Sequence, residues 1–277
     1  MKMMKLAVCV AALGLAAGCI DSKTVFSVKK DGSGTVLVED YMSPQMTGMM
    51  DNMGGMMQAM GNTATGTTNA TMGAKAQEAM WTSQIQERGK SLGEGLTLVS
   101  QATVTNAAGW KGYRAVFSFK NIAELRVPSG NAGPQMDQSE KKPAETAYTF
   151  EFEAGKRPTL RIVPTPKSES VAKPAKEESN PMGDEMAATM MGAMLKGARQ
   201  NIVVEVEGEI AETNAKFREG KRQVVLMDVP MDKLTANPAA MKLMMSKSPD
   251  QQEKLSKLAI EGLKVEDPAK TVTIQFR

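Results

Sequence analysis

Short runs of alternating apolar and polar residues recur along the chain and predict β-strands paired as hairpins. In TVFSVKKDGSGTVLVEDY (24–41), two such runs flank the turn sequence DGSG at 31–34. AYTFEFEAGKRPTLRIV (147–163) has the same form, with Tyr148, Phe150 and Phe152 on one face. The terminal KTVTIQF (270–276) predicts a last strand with one buried face.

Apolar residues at helical spacing predict helices between these hairpins. We expect helices at about 44–60, 74–93, 183–199, 238–247 and 249–261. The last is bounded by Ser248 as N-cap, Pro249 at the first helical position, Gln251 in a capping box and Gly262 after its end. The predicted fold class is α+β, with antiparallel hairpins and sheets covered by methionine-rich amphipathic helices.

Two stretches, 105–125 and 213–234, resemble each other and suggest an internal duplication. Each opens with Thr-Asn-Ala, turns at a glycine, runs into an apolar strand and ends in a short amphipathic turn. The alternative is that strand–turn–strand patterns look alike in any α+β protein. A duplication would place one hairpin–helix–hairpin unit in 23–125 and another in 145–234.

Three segments rich in proline, glycine, serine, threonine and charge are expected to lack regular structure: 61–73, 128–145 and 164–181. They suggest the domain organisation. After a leader at 1–18, we expect a first unit at 19–127, a flexible loop at 128–144, and a second unit at 145–277. The second unit would carry the insert at about 164–181 and end in a helix pair and a strand.

The leader combines a basic start with a short apolar run. Lys2 and Lys5 precede an apolar and glycine-containing stretch from 6 to 18, a composition typical of a secretory signal peptide. The stretch is shorter than the roughly 20 residues that a membrane-spanning helix needs. The segment Ala16-Ala17-Gly18-Cys19 resembles the lipobox of bacterial lipoproteins, although that family usually has leucine where this chain has Ala16.

The resemblance implies cleavage after Gly18 and acylation of Cys19, which would attach the protein to a membrane through its acyl chains. The alternative is an ordinary secretory peptide with a chance cysteine near its cleavage site. In enterobacterial sorting, aspartate directly after the lipidated cysteine retains a lipoprotein in the inner membrane. Here Ile20 follows and Asp21 comes one residue later, which favours the outer membrane, facing the periplasm.

Composition excludes several kinds of chemistry. Without the leader, 32 basic and 31 acidic side chains remain, a balance that argues against nucleic acid as a partner. The chain has no histidine, which excludes Ser-His-Asp triads and imidazole metal sites, and no phosphate-binding glycine motif occurs. We therefore expect no enzymatic activity, no catalytic residue, no metal and no cofactor.

Three glutamates at alternate positions, Glu205, Glu207 and Glu209, are the best candidate for acid–base chemistry. A strand would place all three on one face, but glycosidic catalysis needs carboxylates opposed across a cleft. Because they alternate with Val204, Val206 and Ile210, we interpret them as the solvated face of a half-buried strand.

Methionine is unusually frequent, with 24 residues in the chain. Steps of three and four place two sets along helical stripes: Met42, Met46, Met49, Met53, Met56 and Met60 in the first, and Met186, Met190 and Met194 in the second. We favour core packing, since thioethers fill irregular gaps. Two alternatives stay open: an adaptable groove for lipid or a hydrophobic peptide, and a thioether site for Cu(I) or Ag(I).

The segment KKDGSGTV (29–36), followed by helix and strands, is similar to lipid-anchored β-rich domains of the mycobacterial LppM type, a resemblance that implies contact with lipid. Together these features predict a lipid-anchored, non-catalytic protein of the bacterial cell envelope. Its expected role is binding, scaffolding or envelope maintenance, with a lipid or an envelope protein as partner.

Overall fold

The computed structural model describes residues 20–45, 47–48, 70–128, 146–165, 197–237, 239–240, 243, 254, 258 and 260–277. Their strands are β1 Ile20–Val28, β2 Gly34–Met42, β3 Thr97–Thr105, β4 Lys111–Phe119, β5 Arg126–Pro128, β6 Thr146–Glu153, β7 Thr159–Pro164, β8 Arg199–Val206, β9 Ile210–Thr213, β10 Arg218–Glu219, β11 Gln223–Pro230, β12 Lys264–Val265 and β13 Val272–Phe276. The helices are α1 Ala70–Leu92, α2 Met231–Thr235 and a 3-10 turn, Ile122–Glu124.

The strands form two sheets. The larger has the order β10-β11-β8-β1-β2-β4-β3, with β12 also paired to β11, and the smaller has the order β5-β6-β7-β13-β9. The amino-terminal strand β1 lies in the middle of the larger sheet, antiparallel to β2 and parallel to β8. The first described strand therefore pairs with a strand that lies about 180 residues later in the sequence.

The first predicted hairpin is confirmed. All residues of β1 pair with β2, from Ile20 opposite Met42 to Val28 opposite Gly34. In the turn, Asp31 Oδ1 accepts hydrogen bonds from Ser33 N at 2.9 Å and from Ser33 Oγ at 2.7 Å. Gly32 has φ +82°, a conformation that glycine adopts without steric cost. The turn composition thus sets the register of the hairpin.

The second predicted hairpin and the terminal strand are also confirmed. β6 pairs antiparallel with β7, and β7 with β13. Tyr148 and Phe150 are buried on the face that the alternation predicts, and Phe152 packs at its margin. Along β13, the buried residues are Val272, Ile274 and Phe276.

The core lies between the two sheets. One face of the larger sheet, which we call the inner face, packs on the smaller sheet and on α1. Phe26 of β1 meets Phe150 of β6 with ring centroids 5.1 Å apart, and Trp81 of α1 meets Tyr113 of β4 at 5.7 Å. The smaller sheet and α1 therefore cover different parts of one inner face.

The predicted α+β class is wrong, because the described structure is mostly β. A second sheet supplies much of the layer that we assigned to methionine-rich helices, and α1 buries Trp81, Ile85 and Leu92 rather than a methionine stripe. Alternation shows that one face of a strand is buried, but it does not show whether a helix or a sheet buries it.

The suggested duplication does not appear as equivalent positions in the sheets. The strands of the first unit, β1 to β4, all lie in the larger sheet, whereas β6 and β7 lie in the smaller sheet and β8 and β11 in the larger. The described strands therefore give no structural support to the duplication.

The predicted helices have different outcomes. α1 confirms the helix at 74–93 and begins earlier, at Ala70, so the predicted loop at 61–73 ends sooner than expected. The helix at 183–199 is wrong at its end, because Gly197 has φ +80° and β8 begins at Arg199. The described positions 44–45, 47–48, 239–240 and 243 are helical, in agreement with two of the other predictions, whose remaining lengths lie mostly outside the described residues. The helix predicted at 249–261 is helical at 254 but wrong at its end, because positions 258, 260 and 261 are not helical and the chain turns at Glu261 and Gly262.

Candidate functional site

Most residues that the sequence proposes for a site lie outside the described residues. This holds for the lipobox positions Gly18 and Cys19, and for Met46, Met49, Met53, Met56, Met60, Met186, Met190 and Met194. Met42 is the member of the stripe that is described. It ends β2 on the inner face and is 2% exposed, so at this position the thioether belongs to the core.

The three glutamates do not share one strand face. β8 ends at Val206, so Glu205 alone lies in the strand, half-buried, and the other two follow it. Glu207 Oε2 accepts a hydrogen bond from Lys30 N at 3.1 Å. Glu209 forms ion pairs with Lys221 at 2.9 Å and Arg277 at 3.5 Å, and the hydrogen bond from Lys221 lowers the pKa of its carboxyl. These are surface contacts that hold a turn rather than a catalytic pair.

A buried polar layer lies between α1 and the inner face, and it is the strongest candidate site among the described residues. We call it the α1 seam, and its members are Ser22, Thr24, Asp40 and Tyr113 from the sheet and Trp81, Gln84 and Arg88 from the helix. On the sheet side, β-strand alternation directs these residues inward together with Phe26, Val38 and Met42.

The sheet side of the α1 seam centres on Asp40, which is 4% exposed. Its Oδ2 accepts a hydrogen bond from the Tyr113 hydroxyl, and its Oδ1 accepts one from Ser22 Oγ at 2.5 Å. Burial and the charge of Asp40 raise the pKa of Tyr113 above its ordinary range. The phenol therefore stays protonated and remains a hydrogen-bond donor to the carboxylate.

The helix side of the α1 seam is rich in donors. Arg88 is 6% exposed, and its Nη2 donates to Thr24 Oγ1 at 2.9 Å. Three further buried atoms on this side have no hydrogen-bond partner: Trp81 Nε1, Gln84 Nε2 and Arg88 Nε. The arrangement can supply hydrogen bonds and one positive charge to a group with acceptor oxygens.

A second set of polar contacts lies on the opposite, outer face, near the start of β1. Arg199 pairs with Asp228, and Arg114 Nε pairs with Glu39 Oε1 at 2.5 Å. Asp21 Oδ2 accepts a long hydrogen bond from Asn106 Nδ2 at 3.4 Å, and burial raises the pKa of the Asp21 carboxyl. These contacts connect the strand ends around Ile20.

The sequence contains an indication of the α1 seam, namely charged residues at positions where the apolar pattern predicts core residues. In β2, Asp40 interrupts the inner-face series Val36, Val38 and Met42, and in α1, Arg88 occurs one turn after Ile85 on the apolar stripe. A charged residue at a core position indicates either a paired structural group or a site.

Neither a metal site nor a membrane-spanning helix occurs within the described ranges. No group of three or more acidic or cysteine side chains is close enough there to hold a metal ion. None of the described helices is both long and apolar enough to cross a membrane.

Across the described ranges, the architecture is that of a two-sheet β protein with one long helix packed on the larger sheet. No protein-family model matches the chain, and no curated protein matches it. Among solved structures, the chain is similar to the NMR structure of the folded domain of the Mycobacterium tuberculosis LppM protein, with 11% identity over 94% of this chain and 91% of that one and a TM-score of 0.33. At this TM-score the similarity is weak and assigns neither family nor function.

Proposed function

We propose that the protein is a lipid-anchored, non-catalytic component of the bacterial cell envelope that faces the periplasm, with outer-membrane attachment favoured by Ile20 after the cysteine. The observation that carries the proposal is the sequence Ala16-Ala17-Gly18-Cys19 at the end of a basic and apolar leader. Acyl chains on Cys19 would attach the chain stably, since several chains bury enough methylene groups.

The position of β1 gives this anchor a structural consequence. β1 begins at Ile20, directly after Cys19, and one residue of extended chain spans only about 3.5 Å. The anchored protein would therefore hold the β1 end of the larger sheet close to the lipid surface. Binding or scaffolding at that surface fits such a tether, and the absence of histidine from the sequence supports a non-catalytic role.

Substitution of each cysteine in turn tests the anchor. We expect Cys19→Ser to abolish palmitate labelling and membrane association and to leave the leader uncleaved by the lipoprotein signal peptidase. Cys9→Ser is the matched control, because Cys9 lies within the apolar run of the leader, and it should leave labelling intact. Equal palmitate incorporation in the Cys19→Ser variant and the natural protein would reject the proposal.

A further inference from the structure

The three orphaned donors of the α1 seam lie on one side of α1. Trp81, Gln84 and Arg88 are separated by three and four residues, a spacing that places them along one helix face. Native proteins leave few buried donors without a partner, and each such donor costs free energy. Three such donors on successive turns of one helix can together serve a ligand that carries acceptor oxygens.

Two of the three residues, Trp81 and Arg88, lie near the same side chain of the sheet, Tyr113. The Trp81 ring lies 5.7 Å from the ring of Tyr113. Burial raises the pKa of the Tyr113 hydroxyl, and the charge of Arg88 acts in the opposite direction. Gln84 lies between Trp81 and Arg88 on the helix. The donors are therefore part of one locality between α1 and β4 rather than separate defects.

Arg88 strengthens this argument because it is a buried cation. Its one hydrogen bond within the described residues goes to the neutral hydroxyl of Thr24, and no described carboxylate lies within ion-pair distance of it. A buried charge that forms no direct ion pair is unfavourable. An anion that bound beside Nε would supply both the missing charge and the missing acceptor.

We propose that the α1 seam is a binding site for a monoanionic oxyanion, either a carboxylate or a phosphodiester. Arg88 Nε and Gln84 Nε2 bind its oxygens, and Trp81 Nε1 donates from the adjacent turn. The guanidinium suits this ligand because its planar array of N–H groups matches the oxygens of carboxylates and phosphates. This site does not depend on the lipid anchor.

The neighbouring carboxylate of Asp40 limits the charge of the ligand. Tyr113 and Ser22 both donate to Asp40, so its carboxylate is stabilised by two hydrogen bonds and keeps its negative charge without a described ion pair to Arg88. A dianion would add a second uncompensated charge close to Asp40, at a considerable cost in a buried site. A single negative charge balances Arg88 alone.

The indole N–H of Trp81 provides a direct measurement. The chain has two tryptophans, and Trp110 packs in a different cluster, with Tyr41 and Ala198. In the full chain carrying Cys19→Ser, the two indole signals are followed by ¹H–¹⁵N NMR during titration with acetate, with dimethyl phosphate, and with sodium chloride at equal ionic strength. We expect acetate or dimethyl phosphate to shift the Trp81 signal saturably, while Trp110 stays constant. The probe that acts identifies the ligand as a carboxylate or a phosphodiester.

Two variants assign the effect to the α1 seam. Arg88→Gln should weaken binding about tenfold or more, since it removes a charge-assisted hydrogen bond. Arg114→Gln removes the same charge from the outer face, where Arg114 is half exposed, and should leave the affinity unchanged. If Arg88→Gln does not fold, Gln84→Leu replaces it. That variant should melt at a higher temperature than the natural chain without anion, and should lose the stabilisation that the anion gives.

Several results would overturn the proposal. One is a Trp81 signal that responds to neither anion, or that sodium chloride moves equally. Another is equal affinity in Arg88→Gln and Arg114→Gln. A third is a Trp81 N–H that contacts only water at saturating anion, which would show that solvent occupies the α1 seam.

Discussion

Arg199 and Asp228 form a two-point contact, with Nε–Oδ1 and Nη2–Oδ2 distances of 2.6 and 2.7 Å. The contact joins the first residue of β8 to the end of β11, where Arg199 pairs in register with Pro230. The two side chains differ in environment, because that of Asp228 is 3% exposed and that of Arg199 is 56% exposed.

This asymmetry predicts unequal losses from the two truncations. Arg199→Ala leaves a buried carboxylate uncompensated and should lower the free energy of unfolding by about 3 kcal/mol. Asp228→Ala leaves a guanidinium that water can reach and should cost about 1 kcal/mol. Urea denaturation measures both, with Arg161→Ala of the exposed Arg161–Glu153 pair as a control that should change little. Equal losses in the two variants would contradict the assigned burial.

Gly34 is predicted to tolerate no side chain. An added Cβ would lie 1.9 Å from Ser27 O and 2.7 Å from the Phe119 ring, so alanine would force the β1–β2 pair apart. Gly34→Ala should destabilise the protein by about 3 kcal/mol, at the upper end of overpacking costs. Gly155, in the turn of the second hairpin, has open space around its Cβ position, and Gly155→Ala should be nearly neutral. Thermal melts followed by circular dichroism compare them, and similar melting temperatures would refute the close approach.

The buried carboxyl of Glu266 should make the free energy of unfolding depend on pH. Its side chain is buried, and burial raises the pKa of its carboxyl above the ordinary 4.5, although Oε1 accepts a hydrogen bond from Phe217 N at 2.9 Å. Between 4.5 and the raised value, the folded protein binds more protons than the unfolded chain. The contribution of Glu266 to stability is therefore fully present below this window and is lost as pH rises through it.

Glu266→Gln should make this part of the pH profile flatter, because glutamine retains the acceptor and does not titrate. Asp21 contributes a slope of the same sign, since burial also raises its pKa, so part of the dependence should persist. Glu261→Gln, at a side chain 91% exposed, is the control and should keep the natural profile. Melting temperatures measured from pH 4 upwards test this. An unchanged slope in Glu266→Gln would contradict the prediction.

The methionine-rich segment is predicted to provide apolar packing rather than metal ligands. Met42 is in the core, and we expect the chain to compete poorly with a chelator for Cu(I) or Ag(I). The triple change Met46→Leu, Met49→Leu and Met53→Leu should leave this weak binding unchanged, since leucine preserves volume and apolarity. A tight stoichiometric site that disappears in the triple variant would favour the copper hypothesis.

The hairpins could be predicted because their causes are local. The Asp31–Ser33 hydrogen bonds and the backbone of Gly32 act within a few residues, and the alternation at Tyr148 and Phe150 identifies a buried face directly. The order of the sheets could not be predicted, because the parallel pairing of β1 with β8 depends on residues that are far apart in sequence.

The α1 seam could not be predicted either, because its residues are also far apart in sequence. Asp40, Tyr113 and Arg88 belong to three separate elements, and none forms a motif with its own neighbours. Each resembles an isolated polar residue within an apolar pattern. Their relationship arises only when α1 packs across β1, β2 and β4.

The central position of β1 has a mechanical consequence. All nine residues of β1 pair with β2, and seven of them also pair with β8. A force applied at the amino-terminal end of β1 acts along the strand axis, so the hydrogen bonds on both sides are loaded together in shear. An edge strand pulled along its axis would load one row of hydrogen bonds instead of two. Against a pull along its axis, β1 is therefore held by two rows of backbone hydrogen bonds.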